Sequence, residues 1–189
     1  MTCFSIINKV ESRIARDLRS GIYLNAGREV SVASTKAFPA QVMCLTMLAI
    51  WFSQHRQRLY IKDHPDEDEK SEEIQKKFKV KERVDLIKNL HQMPELAQDV
   101  IVHSHKICKE IAELMDGHEH LFILGRGPCE AIAKEGALKI KEVSYIHAEG
   151  YIAGAFKHGP IAMIDDLNQT RFILLITKQD SNKLEKTLE

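Results

Sequence analysis

Three residues on one predicted helix, Glu135, Lys139 and Glu142, have the types and the spacing for acid–base chemistry. At about 100° per residue they fall within about 60° of one another. Glu130, Lys134 and Lys141 share a separate stripe that reads as a solvated face. Ile132 and Val143 flank the first stripe on one side, Ala131 and Leu138 on the other. Carboxylates and an amine bordered by apolar residues are candidates for shifted pKa values and proton transfer. A helical Glu–Lys pair at the edge of a core has the same spacing, so spacing alone leaves both readings open.

Just upstream, the apolar run HLFIL enters Gly125-Arg126-Gly127, and a helix follows with Pro128 in its first turn. Glycines let backbone approach a ligand, and unpaired N–H groups at a helix start favour anions. Gly125, Arg126 and Gly127 are therefore candidate anion-binding residues. A plain tight turn is the alternative, because the segment lacks the full dinucleotide or phosphate-loop patterns. Downstream, His158 in a Lys-His-Gly-Pro turn could move protons near neutral pH, or simply be a surface residue. The pairs His103/His105 and His118/His120 sit two apart and do not share a helix face. No metal and no cofactor is expected.

The elements that must position these residues alternate between short apolar runs and helical patterns. CFSII, GIYLNAG, HLFILG and RFILLI read as strands. A helix is expected from about Lys36 to Phe52, with Ser34 or Thr35 as N-cap and Pro39 in the first turn. Further helices are expected over 84–90, 94–115 and 128–144, and a glycine-containing loop over 145–165. Residues 62–83 form a charged block that reads as a solvated linker or frayed helix. Strands separated by helices imply an α/β fold with parallel sheets.

Composition narrows the function. Lys plus Arg and Asp plus Glu both number 27, giving zero net charge and no basic stripe, so nucleic acid is not an expected partner. The four cysteines at 3, 44, 108 and 129 form no CxxC pair and read as free thiols of a reducing compartment. The stretch Ala37–Phe52 is interrupted by Pro39, Gln41 and Thr46, short of the roughly 20 apolar residues of a membrane span. A buried helix, and a cytoplasmic chain without membrane association, is the expectation.

Three segments in order, NAGREVSVASTKAF, GRG followed by EGALKIKEVSYIHAEG, and AFKHGPIAMID, resemble the isomerase part of glutamine–fructose-6-phosphate aminotransferases, which has two sugar isomerase (SIS) domains. The resemblance implies a three-layer, doubly wound parallel α/β fold in two incomplete halves. Residues 1–55 would end the first SIS domain, 56–92 would be a charged linker and connecting helix, and 93–189 would begin the second. It also implies the conversion of fructose 6-phosphate and glutamine-derived ammonia to glucosamine 6-phosphate, the entry to amino-sugar and UDP-N-acetylglucosamine synthesis. By motif, Glu142 would move the proton between sugar carbons 1 and 2. Lys139 would stabilise developing charge, and Glu135 would hold Lys139. His158 would promote ring opening in a neighbouring subunit's site, and Val32 and Ser34 would contact the sugar. The glutaminase domain, a phosphate loop and a carboxy-terminal lysine tail would lie outside the chain. An internal fragment, inactive alone and associating with itself or with those segments, is therefore expected. Arg28 and Ala155 depart from the family's usual residues. A sugar-phosphate-sensing module and a non-functional gene fragment are the competing expectations.

Overall fold

The computed structural model describes residues 3–164 and 170–177. Its contacts divide the chain into two compact units, Met1–Val30 with Ser34–His105, and Ser31–Ala33 with Lys106–Glu189.

In the first unit, strands β1 (Ser5–Ile7) and β2 (Gly21–Tyr23) pair in parallel, Ser5 against Gly21. Gly21 has φ +150°, and a Cβ there would run into Ser5 backbone and side-chain atoms, so the position requires glycine. Between the strands lies α1 (Arg13–Leu18), capped by Ser12, whose hydroxyl accepts from the Ala15 amide at 3.3 Å. The sequence reading left this helix out, although Ser12 supplied its start signal.

Helix α2 (Ala37–Asp63) extends eleven residues beyond its expected end at Phe52. Its cap is also not the expected one. Neither Ser34 nor Thr35 caps it, and Lys36 at the N-cap position makes no side-chain capping bond. Glu29 Oε1 instead accepts the amides of Lys36 and Ala37, both at 2.9 Å, and the Ser34 hydroxyl at 3.2 Å. These bonds, that from Ala37 foremost, hold the Glu29 carboxyl below the ordinary glutamate value, with burial opposing. A carboxylate at a helix N-terminus also meets the positive end of the backbone dipole.

The apolar part of α2 is less covered than expected: only Cys44, Ile50 and Gln57 of the helix are buried, and Trp51 and Phe52 are more than half exposed. Within this unit the described residues offer it a two-stranded sheet, short helices and the first part of the helix Val80–Met115, and these leave much of its apolar surface uncovered. By length and composition alone, α2 could cross a membrane.

The charged block folds into the end of α2, α3 (Glu72–Lys77, capped by Ser71) and the start of α4 (Val80–Met115). α4 replaces the two expected helices, running unbroken through Pro94, which lacks the N–H to bond Leu90. No α4 residue is buried, so water can reach the freed carbonyl.

In the second unit, the three-stranded parallel sheet has the order β4-β3-β5, with β3 His120–Gly125, β4 His147–Ile152 and β5 Arg171–Leu175. β4 is a correction, since residues 147–152 were expected in a loop. Its alternation explains the strand: Ala148 is buried beside α5 (Pro128–Ser144), while His147, Glu149 and Tyr151 take the other face. Leu121, Ile123, Ala133, Ala137 and Ala148 form the core between sheet and helix. A Cβ at Gly150 would meet the backbone of α5 at Ala133 and Lys134, so this glycine sets how closely helix and strand approach. Both units are therefore α/β with parallel strands. The segment SNKLEKTLE, which reads as the start of a helix after RFILLI, lies outside the described residues.

Candidate functional site

α5 carries the carboxylate–amine stripe as helical geometry requires. Lys139 Nζ lies 2.7 Å from Glu142 Oε2 and 3.7 Å from Glu135 Oε1. The three side chains are 21–26% exposed, so water reaches them in part. The hydrogen bond to Glu142 raises the Lys139 pKa above its ordinary value, desolvation opposes it, and the charges of Glu142 and Glu135 add to it. Lys139 is thus held as an ammonium, with one carboxylate in tight contact and a second nearby. The flanking apolar residues do not cover the group: Ile132, Leu138 and Val143 are all more than 40% exposed. On the other stripe, Lys134 bonds Glu130 at 2.6 Å.

The glycine loop has a structural reason for its composition. A Cβ at Gly125 would collide with the Cys129 carbonyl, and Gly127 has φ +54° as the N-cap of α5. The head of the helix is poor in free donors: Pro128 has no N–H, Cys129 N–H bonds the Arg126 carbonyl, and Glu130 N–H bonds the Gly127 carbonyl. Arg126 is exposed.

His158 is exposed and ends a single 3-10 turn, Phe156–His158. Phe156, which the sequence reading did not single out, is 6% exposed. Its ring centroid is 5.3 Å from Phe122, 5.4 Å from Phe172 and 6.2 Å from Tyr151, which fastens the turn to the sheet. Glu149 also escaped notice: it takes the Tyr151 hydroxyl as a hydrogen-bond partner, raising the Tyr151 pKa, and lies 3.5 Å from His147 Nε2.

Topology separates these features. α5 starts where β3 ends and finishes where β4 begins, with His147 paired to His120. Glu142 therefore stands toward the start of the strands. His158 follows the end of β4, where Ile152 pairs with Gly125. Along the helix, Lys139 is about 18 Å from Gly127, at 1.5 Å for each of twelve residues. The structure brings Glu135, Lys139 and Glu142 together, and brings neither the glycine loop nor His158 of the same chain to them. Val32 is 88% exposed, and Ser34 donates to Glu29. Among the described residues, no three metal-ligating side chains converge.

The SIS domain signature matches residues 113–187, the segment that holds this parallel βαβ unit and the stripe on its crossover helix. The sequence is 40% identical over 162 residues to the glutamine–fructose-6-phosphate aminotransferase of Symbiobacterium thermophilum, 86% of this chain and 23% of that protein. The corresponding Caulobacter vibrioides enzyme is 41% identical over 90% of this chain and 24% of its own length. Among solved structures, the C-terminal domain of glucosamine-fructose-6-phosphate aminotransferase from Francisella tularensis superposes with a TM-score of 0.73 at 30% identity, over 97% of this chain and 45% of that one. The chain is thus similar along most of its length to glutamine–fructose-6-phosphate aminotransferases, and it spans about a quarter of the length of the curated relatives it matches.

Proposed function

We propose that the chain supplies the proton-transfer part of a ketose-to-aldose sugar-phosphate isomerase site, within an enzyme that makes glucosamine 6-phosphate from fructose 6-phosphate and glutamine. The observation that carries the reading is the 2.7 Å contact of Lys139 with Glu142, with Glu135 at 3.7 Å. A carboxylate positioned beside an ammonium can take a proton from sugar carbon 1 and return it to carbon 2. Lys139 would stabilise negative charge developing on the sugar oxygens, with Glu135 orienting it.

His158 stands toward the other end of the sheet from Glu142, which favours its acting, in ring opening, on a sugar held by a second copy. A homo-oligomer follows from that reading. Val32 and Ser34 would contact the sugar, Ser34 through a hydroxyl whose proton now goes to Glu29. Any anion at Gly125-Arg126-Gly127 would be a different molecule from the one at Lys139, given the distance along α5. Within the longer protein, we assign residues 1–55 to a first SIS domain, 56–92 to the connection and 93–189 to a second. A cytoplasmic setting accompanies this reading.

The test is to splice residues 1–177 into the matching quarter of the Caulobacter vibrioides relative and follow fructose 6-phosphate. Turnover that disappears in Lys139→Met while sugar-phosphate binding persists supports the proposal. Full turnover in that variant contradicts it.

A further inference from the structure

We infer that a cleft of about 610 Å³ between the second half of α2 and the α3–α4 junction binds a nucleoside polyphosphate. It is lined by three rings, Phe52, Tyr60 and Phe78, and by three cations, Arg56, Lys77 and Lys79. Its volume is in the range of small-molecule pockets, and among the described residues no carboxylate lines it.

The cleft is built rather than left over. Phe78 ends α3, and Lys79 turns the chain into α4 with a left-handed φ of +48°, an uncommon conformation for lysine. That single turn sets Lys77, Phe78 and Lys79 in succession along one wall. On the opposite wall Tyr60 is fixed on all sides. Lys77 Nζ lies 3.6 Å over the ring, His64 stacks at 4.1 Å, and the hydroxyl donates to Glu67 at 2.8 Å. Arg83 of α4 reaches Ser53, which also lines the cleft, at 3.2 Å and Gln57 at 2.6 Å, tying the two walls together.

The chemistry of the lining selects the ligand class. Three cations without a lining carboxylate call for a ligand with several negative charges, and Arg and Lys are the usual phosphate partners. The rings call for an apolar, planar part. Tyr60 is already engaged by His64 and Lys77, so Phe52, 54% exposed and touching Trp51 edge-on at 5.0 Å, is the most open of the three rings for stacking. A sugar phosphate offers one anionic group and no planar part. A nucleoside di- or triphosphate offers both. This site is separate from the α5 stripe and does not depend on the function proposed for it.

The test is calorimetric titration of the full chain at about 100 mM salt with ATP, with adenosine and with inorganic tripolyphosphate. ATP is expected to bind at submillimolar concentration, and each part alone at least tenfold more weakly. The exposed pair Lys77→Glu/Lys79→Glu should weaken ATP at least tenfold, and Phe52→Ala should weaken ATP but not tripolyphosphate. Reversal of two exposed lysines outside the cleft, Lys88→Glu/Lys109→Glu, should change ATP affinity less than twofold. Circular dichroism identical to the parent certifies each fold. No ATP binding at millimolar concentration, tripolyphosphate binding as tightly as ATP, or an equal loss in the control pair would overturn the assignment.

Discussion

Truncating Phe156 to alanine should loosen the second sheet and release the turn that carries His158. Phe156 is 6% exposed and touches three other rings, at 5.3 to 6.2 Å between centroids. Removing a buried phenylalanine typically costs about 3–5 kcal/mol, a sum of lost transfer energy and the cavity left behind. Two of its three partners are only partly buried, and Phe172 is 37% exposed, so the cavity can collapse or fill with water. The low end, about 3 kcal/mol, is therefore expected. At about 1.4 kcal/mol per factor of ten, the slowest amides of β3 and β4 should exchange roughly a hundredfold faster with solvent deuterium. Amide exchange is the right assay because the sole tryptophan, Trp51, lies in the first unit and is blind to the second. Phe156→Leu keeps most of the volume and should lose clearly less. Exchange of the Phe122 and Tyr151 amides within threefold of the parent in Phe156→Ala would refute the claim that this ring fastens the turn.

Gly150→Ala would place a methyl against the α5 backbone at 2.5 Å from Lys134 Cα. Displacing a packed helix costs typically about 1–3 kcal/mol or more, so a lower melting temperature by circular dichroism is expected, with Gly154→Ala, which meets nothing within 4 Å, as the milder partner. Glu29 has a lowered pKa, so its contribution to the start of α2 is complete above the ordinary glutamate range and lost as pH falls through its own lower value. The amide resonances of Lys36 and Ala37 should titrate together in that acid range, and Glu29→Gln should abolish the titration. The exposed apolar side chains of α4, among them Val100 and Ile101 at 65%, should make the chain associate in sedimentation, and Val100→Glu/Ile101→Glu should reduce that association.

Much of the second unit was legible because its signals are local. HLFILG is a plain apolar strand, and the offsets four and seven from Glu135 put Lys139 and Glu142 on one helix face whatever surrounds them. β4 was less legible, since HAEGYI carries charge and a glycine; its inward positions are small because a helix lies directly over them. The cap of α2 could not be read from the residues beside it, because the capping carboxylate, Glu29, arrives from eight residues upstream of Ala37 through a loop. Phe156 acquires its meaning only from rings on the three strands, and Glu149 from Tyr151 and His147, each two residues away on β4. Exposure was the least legible property: the apolar stretch of α2 predicts a buried helix, but burial depends on what else is present to cover it.

The central claim is that Glu142 carries the proton between sugar carbons, and hydrogen exchange at carbon 1 of fructose 6-phosphate tests it most directly. In the spliced protein with the Caulobacter vibrioides segments, Glu142→Gln keeps shape and hydrogen-bonding reach but cannot accept a proton. Exchange with deuterated solvent should fall by about 10²–10⁴-fold, the usual worth of a positioned general base, while sugar-phosphate binding persists and Lys141→Gln, on the solvated stripe, leaves exchange unchanged. Undiminished exchange in Glu142→Gln would mean that another residue moves the proton and would contradict the account.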